Sequence, residues 1–151
     1  MKEDLQKKIA LDLLSLPPLI FRLIRRKMVI TAGEDTPVDL KMPHFEIMRL
    51  LKEEGTLQPA KIGEKLIIAK AQMTYLIDRL VELDLVKREP GSEDRRTFNL
   101  TLTKKGAKLL DEQDNLVIHA LLENISALSD EELETLSSSL RKLRDILFKL
   151  Q

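Results

Sequence analysis

Between Ala69 and Gly106 a helical hydrophobic period gives way directly to a strand-like one, and that succession limits the folds open to this chain more than any other feature. Met73, Leu76, Ile77, Leu80 and Leu83 stand at i, i+3, i+4, i+7 and i+10, a single apolar stripe on a helix. The opposite face carries Lys70, Gln72, Thr74, Tyr75, Asp78, Arg79 and Glu82. Leu85-Val86-Lys87-Arg88 then reads as a short strand, and Pro90-Gly91 within residues 89–94 marks a turn. Phe98, Leu100 and Leu102 alternate with Thr97, Asn99 and Thr101, the period of a half-buried strand. Two shorter helices precede this unit. One covers 43–54, opened by Pro43 and stopped by Gly55, with Phe45, Ile47, Met48 and Leu51 inward; the other runs from Pro59 to about Leu66. Two short helices, a longer amphipathic one and a basic hairpin spell a winged helix-turn-helix.

The flanks are helical. Residues 3–27 place Leu5, Ile9, Leu13, Leu16, Ile20, Leu23 and Ile24 near helical spacing, with Pro17-Pro18 expected to kink or split the helix. Residues 29–42 read as a loop and 104–126 as a helix. Ser129 with Glu132 is a capping-box signature. Beyond it Leu133, Leu136, Leu140, Leu143, Leu147 and Leu150 are spaced 3, 4, 3, 4, 3, a seam too short for a lone coiled coil but suited to an intermolecular bundle. The expected class is mainly α with a small β-wing: a helical dimerisation region from 1–40 and 104–151, and a winged helix-turn-helix lobe from 41–103.

Composition removes several chemistries. With no Cys there is no disulfide scaffold, thiolate metal site or cysteine nucleophile. His44 and His119 lie on different predicted helices, so no metal is expected, and neither a phosphate loop nor a hydrolase or metalloprotease motif occurs. No cofactor and no enzymatic activity are expected. The apolar stretch Ile9–Ile24 contains Asp12, Arg22 and two prolines, which does not suit a membrane span; a cytoplasmic protein is expected.

Net charge is zero, but it is not evenly spread. Residues 58–105 hold 10 Lys+Arg against 7 Asp+Glu, whereas 106–151 hold 5 against 9. Lys87 and Arg88 precede the hairpin tip, Arg95 and Arg96 follow it, and Lys104 and Lys105 open the next helix. A helix fits the major groove of B-form DNA, an arginine-tipped hairpin suits the narrower minor groove, and surrounding cations can neutralise phosphates. The same architecture also serves protein contacts, so a winged-helix protein-interaction module is the rival reading.

The wording of 66–106 decides between them. Leu80-Val81-Glu82-Leu83-Asp84-Leu85-Val86-Lys87-Arg88, then Asp94-Arg95-Arg96 and Leu102-Thr103-Lys104-Lys105-Gly106, resembles the MarR/SlyA family of transcription regulators, with its "GLV-R" strand and "DRR…LT-KG" wing. The resemblance implies a homodimer, a repressor by the family's commoner habit, presenting one winged helix per subunit to a pseudopalindromic operator in double-stranded DNA. It implies base or phosphate contacts from Lys70 and Gln72. It places Thr74 between the groove and partial burial, and Tyr75 either on the DNA backbone or under the wing. Arg79 goes to phosphate, or pairs with Asp78 or Glu82. Arg95 and Arg96 are minor-groove candidates, with an ion pair to Asp94 or Asp78 open to either, and Asp94 resembles a structural wing aspartate. A small lipophilic or phenolic effector is implied, in a cleft lined by Leu16, Leu19, Phe45 and Met48. Two departures stand out. Ile67 and Ala69 replace the Gly and Ser common before the recognition helix, and Ala forgoes an N-cap bond of about 1 kcal/mol. Asp84 replaces the Gly of "GLV".

Overall fold

The computed structural model describes residues 1–31, 40–91 and 96–151, and side chains within them apart from those of 25–31. The order is α1 (Lys2–Thr31), α2 (Met42–Glu54), α3 (Pro59–Leu66), α4 (Lys70–Glu82), β1 (Val86–Pro90), β2 (Phe98–Leu102), α5 (Lys104–Ile125) and α6 (Asp130–Lys149). The chain divides into two compact units, one of Met1–Thr31 with Leu116–Gln151 and one from Ala32 to Asn115. No helix among the described residues is long and apolar enough to cross a membrane.

The second unit is the winged lobe. Its core gathers Ile47 and Met48 from α2, Ile62 from α3, Ile77 and Leu80 from α4, Leu85 and Val86 at β1, Leu100 from β2 and Leu110 from α5, all essentially sealed from solvent. Each side chain of this kind contributes roughly 1.5–3 kcal/mol on burial. The strands pair antiparallel, Val86 opposite Leu102 through Pro90 opposite Phe98. A short bridge from Leu57 adds to β2, its N–H donating to the Leu100 carbonyl at 3.2 Å and its carbonyl accepting from the Leu100 N–H at 2.8 Å.

The two ends of α2 are closed in different ways. Pro43 sits in its first turn, and buried His44 accepts the Lys41 N–H on Nδ1 at 2.9 Å. A histidine here fills the position of the usual capping-box glutamate. Gly55 ends α2 at φ 79°, ψ −145°, a positive-φ geometry open essentially to glycine alone.

The lobe also takes in the first turns of α5, which the sequence assigns to the dimerisation region. Leu110 and Gln113 are buried there. Arg49 makes a two-pronged ion pair with Asp114 at 2.9 and 2.7 Å, and Lys52 meets Asp111 at 2.7 Å. Hydrogen bonding to Asp114 raises the Arg49 guanidinium above its ordinary value, holding it charged. At the head of α5, Thr103 Oγ1 accepts the Gly106 N–H at 2.9 Å and donates to the Asp84 carbonyl at 2.7 Å. Lys105 Nζ donates to the Leu83 carbonyl at 3.0 Å. A β-carbon on Gly106 would collide with the Leu85 carbonyl oxygen and lie 2.7 Å from Leu102 Cδ1. The "LT-KG" wording thus has a steric meaning: it joins the end of α4, the wing and α5 at one crowded point.

The first unit is different. Every side chain of α1 through Leu23 is exposed, and α6 buries none. The expected break at Pro17-Pro18 does not split α1, which continues to Thr31. Proline's fixed φ is helical, and the lost donors concern only the Leu13 and Leu14 carbonyls, on a stretch open to water. α6 begins as its sequence signature requires, Ser129 Oγ accepting from the Glu132 N–H at 3.1 Å and Glu132 Oε1 from the Ser129 N–H at 3.2 Å.

Candidate nucleic-acid interface

The hydrophobic stripe of α4 goes inward over four of its five residues: Met73, Leu76, Ile77 and Leu80 are buried, while Leu83 is the C-cap and half-buried. The helix is therefore clamped by one side, and its outer side is determined by exclusion. Lys70, Gln72, Thr74, Tyr75 and Asp78 are exposed, and neither Lys70 nor Gln72 has a side-chain partner among the described residues. Thr74 is not part-buried; its hydroxyl donates to the Lys70 carbonyl at 3.2 Å. Tyr75 is 77% exposed, which rules out packing under the wing within this chain. Arg79 lies half-buried with an ion pair to Glu82 at 3.0 Å, the helix-surface option among those the sequence leaves open.

The turn into α4 keeps a left-handed bend despite the loss of glycine. Ile67 sits at φ 56°, ψ 53°, with its N–H and that of Ile68 both directed to the Gly63 carbonyl. Ala69 is the N-cap of α4 and supplies no side-chain bond. Asp84, at the second missing glycine, is also left-handed at φ 60°. Short polar side chains tolerate that region, and the Thr103 bond fixes the Asp84 carbonyl.

The wing carries a residue whose role sequence reasoning missed. Arg88 on β1 pairs with Asp78 on α4, and its guanidinium lies 5.4 Å from the centre of the Phe98 ring on β2. One arginine therefore ties the outer face of the helix to both strands. Part of the signal is in the sequence, which offers Asp78 as a partner for a basic wing residue; the choice of Arg88 follows from β1 running beside α4, which only three dimensions provide. Lys87, also on β1, pairs with Glu89 at 3.6 Å. Arg96 is exposed, at the described edge of the hairpin, where the Gly91 N–H donates to the Thr97 carbonyl at 3.0 Å. Asp94 and Arg95 lie outside the described residues.

The suggested effector residues belong to both compact units. Leu16 and Leu19 are exposed on α1, whereas Phe45 and Met48 belong to the core of the winged lobe. Among the described residues no cluster of three or more His, Asp or Glu is arranged to hold a metal ion.

Comparison with known proteins agrees with this geometry. The MarR family model matches residues 40–98. Over 106 residues the chain is 33% identical to the HTH-type transcriptional regulator MhqR of Bacillus subtilis, spanning 69% of this chain and 72% of that one. It is 34% identical over 108 residues to the HTH-type regulator YfiV of the same organism, spanning 66% and 68%. Among solved structures, a MarR family protein from Bacillus stearothermophilus superposes with a TM-score of 0.75 at 24% identity, covering 94% of this chain and 97% of that one. Wild-type MarR from E. coli in its apo form gives 0.66 at 25% identity, covering 85% and 96%. Family members are non-enzymatic transcription regulators that bind DNA operators and act as dimers. A buried stripe under an exposed polar helix, a wing pinned to it by arginine and these likenesses place the chain in the MarR family.

Proposed function

We propose that this chain is a homodimeric repressor that binds a pseudopalindromic operator in the cytoplasm, with α4 in the major groove and the hairpin in the minor groove. The observation that carries the reading is the outer face of α4. There Lys70 and Gln72 stand exposed, without a side-chain partner among the described residues, at the start of a helix anchored by its other side. Gln pairs bidentately with adenine, and Lys reaches guanine or phosphate. Arg96 supplies charge at the wing edge, with Arg95 proposed beside it. Dimerisation is supported by the open aliphatic seams of α1 and α6, which include Leu5, Ile9 and Leu13 on the first and Leu136, Leu140 and Leu147 on the second, all exposed. Release by a small lipophilic or phenolic ligand belongs to the same proposal, with a footing in the exposed Leu16 and Leu19 rather than in Phe45 and Met48, already packed in the lobe.

The test is selection of bound sites from a random duplex pool, followed by titration with salt and with a panel of phenols. An enriched two-fold sequence whose affinity falls steeply with salt is expected. No enrichment at low salt, with binding to a protein partner instead, would replace this reading with the interaction-module one. Gln72→Ala is expected to relax preference at one base position by about 1–3 kcal/mol, whereas Arg96→Ala should weaken all sequences alike and reduce the salt slope by about one.

A further inference from the structure

Among the described residues, two that are not glycine adopt the left-handed region, Ile67 and Asp84. Asp84 has a chemistry that suits it there and a carbonyl held by Thr103. Ile67 has neither advantage. A β-branched side chain is the least suited to this backbone, and an aliphatic one gains nothing from water. Yet Ile67 is 92% exposed, far more open than any described aliphatic side chain of the lobe core. The Ile67 N–H caps α3, as that of any residue but proline could, but a side chain unfavourable for both its backbone and its solvation adds nothing to the isolated fold. Its position does suggest a use. It lies two residues before Ala69, the N-cap of α4, hence within about 7 Å of it along the chain. It therefore borders the turn that carries Lys70 and Gln72. Those two side chains match guanine and adenine edges, while the thymine edge also presents a 5-methyl group, whose complement is an apolar side chain.

We infer that Ile67 is a specificity-determining residue that packs against a thymine 5-methyl group in the major groove, beside the contacts of Lys70 and Gln72. The inference rests on the DNA-binding reading above and adds to it a base and an atom. It explains why strain is kept at a position where glycine would be easier: glycine would relieve the backbone and lose the contact.

Deoxyuridine lacks only that methyl group, so it is the probe. Duplexes selected by the 151-residue chain are resynthesised with each thymine replaced in turn by uracil, and affinities are measured for the wild type, Ile67→Gly and Ile67→Asn. One thymine per half-site is expected to matter to the wild type, its replacement weakening binding by about fourfold, the worth of one buried methyl group. Both variants should bind thymine and uracil duplexes equally. Both should also remain folded, and Ile67→Gly should melt a few degrees higher than the wild type, which separates a lost contact from a damaged turn. Wild-type indifference to every replacement would overturn the inference alone, as would Ile67 variants that keep the wild-type thymine preference. A pool that yields no enriched duplex would overturn the DNA reading and this inference together.

Discussion

Leu100 in β2 and Leu140 in α6 each sit at the middle of a regular hydrophobic spacing, yet Leu100 is wholly buried and Leu140 is 50% exposed. The same holds for the regions around them. In the winged lobe, apolar residues from helices and strands close over one another, and the chain completes that core alone. In the terminal helices, Leu5, Ile9, Leu16, Leu19, Leu136 and Leu147 are as regularly placed and remain open. Periodicity therefore states which side of an element is to be covered and not what covers it. Where several elements share a short stretch of chain, as between residues 42 and 110, the cover is intramolecular. At the ends it is left to another molecule, which we propose is a second copy.

The largest expected effect bears on that difference. Replacing Leu140 and Leu147 together by Asp should convert a dimer to a monomer by sedimentation and lower operator affinity by about 10²–10⁴, the loss of one arm of a bivalent contact. The melting of the lobe should be unaffected. A double variant that stays dimeric would remove the seam from the interface. Next in size is Leu100→Ala, which should destabilise the lobe by about 2–5 kcal/mol in denaturant titration at any protein concentration. A concentration-dependent loss would mean that the lobe's core is shared between chains. Gly106→Ala should cost about 1–3 kcal/mol or more, since the obstruction is a backbone carbonyl that cannot turn aside. The smallest effect belongs to the surface: a double-mutant cycle on Asp78 and Arg88, both well exposed, should give a coupling of no more than about 1 kcal/mol, shrinking with salt. If instead the coupling exceeds the Leu100→Ala loss, packing is not what holds the wing.

What can be read from the sequence is local in origin. The α4 stripe from Met73 to Leu80, the Ser129–Glu132 cap and the strand at β2 each depend on residues within a few positions of one another and stand where their spacing puts them, although in β2 only the central Leu100 is buried and the residues on either side of it are all half-buried. The polar face of α4 is legible for the same reason. Contacts between distant segments are not. Leu57 joins β2 through a single bridge, too short to leave a pattern. Arg88 reaches Asp78 because a hairpin lies beside a helix. The turn before α4 shows a further limit: loss of Gly and Ser there suggests a changed bend, whereas the Gly63 carbonyl still collects two N–H groups and Ile67 is held left-handed. Asp94 and Arg95 lie outside the described residues, so the division of labour between the two wing arginines is a matter for variants at each.

The cap at the head of α2 has a spectroscopic consequence. A neutral imidazole that accepts a backbone N–H on Nδ1 carries its proton on Nε2, so His44 is held in a single tautomer wherever α2 starts at the observed residue. The chain has only two histidines. A nitrogen-15 spectrum of its rings would contain few resonances, and one of them is a label already installed inside the lobe, reporting on the folded state of α2 without any chemical modification.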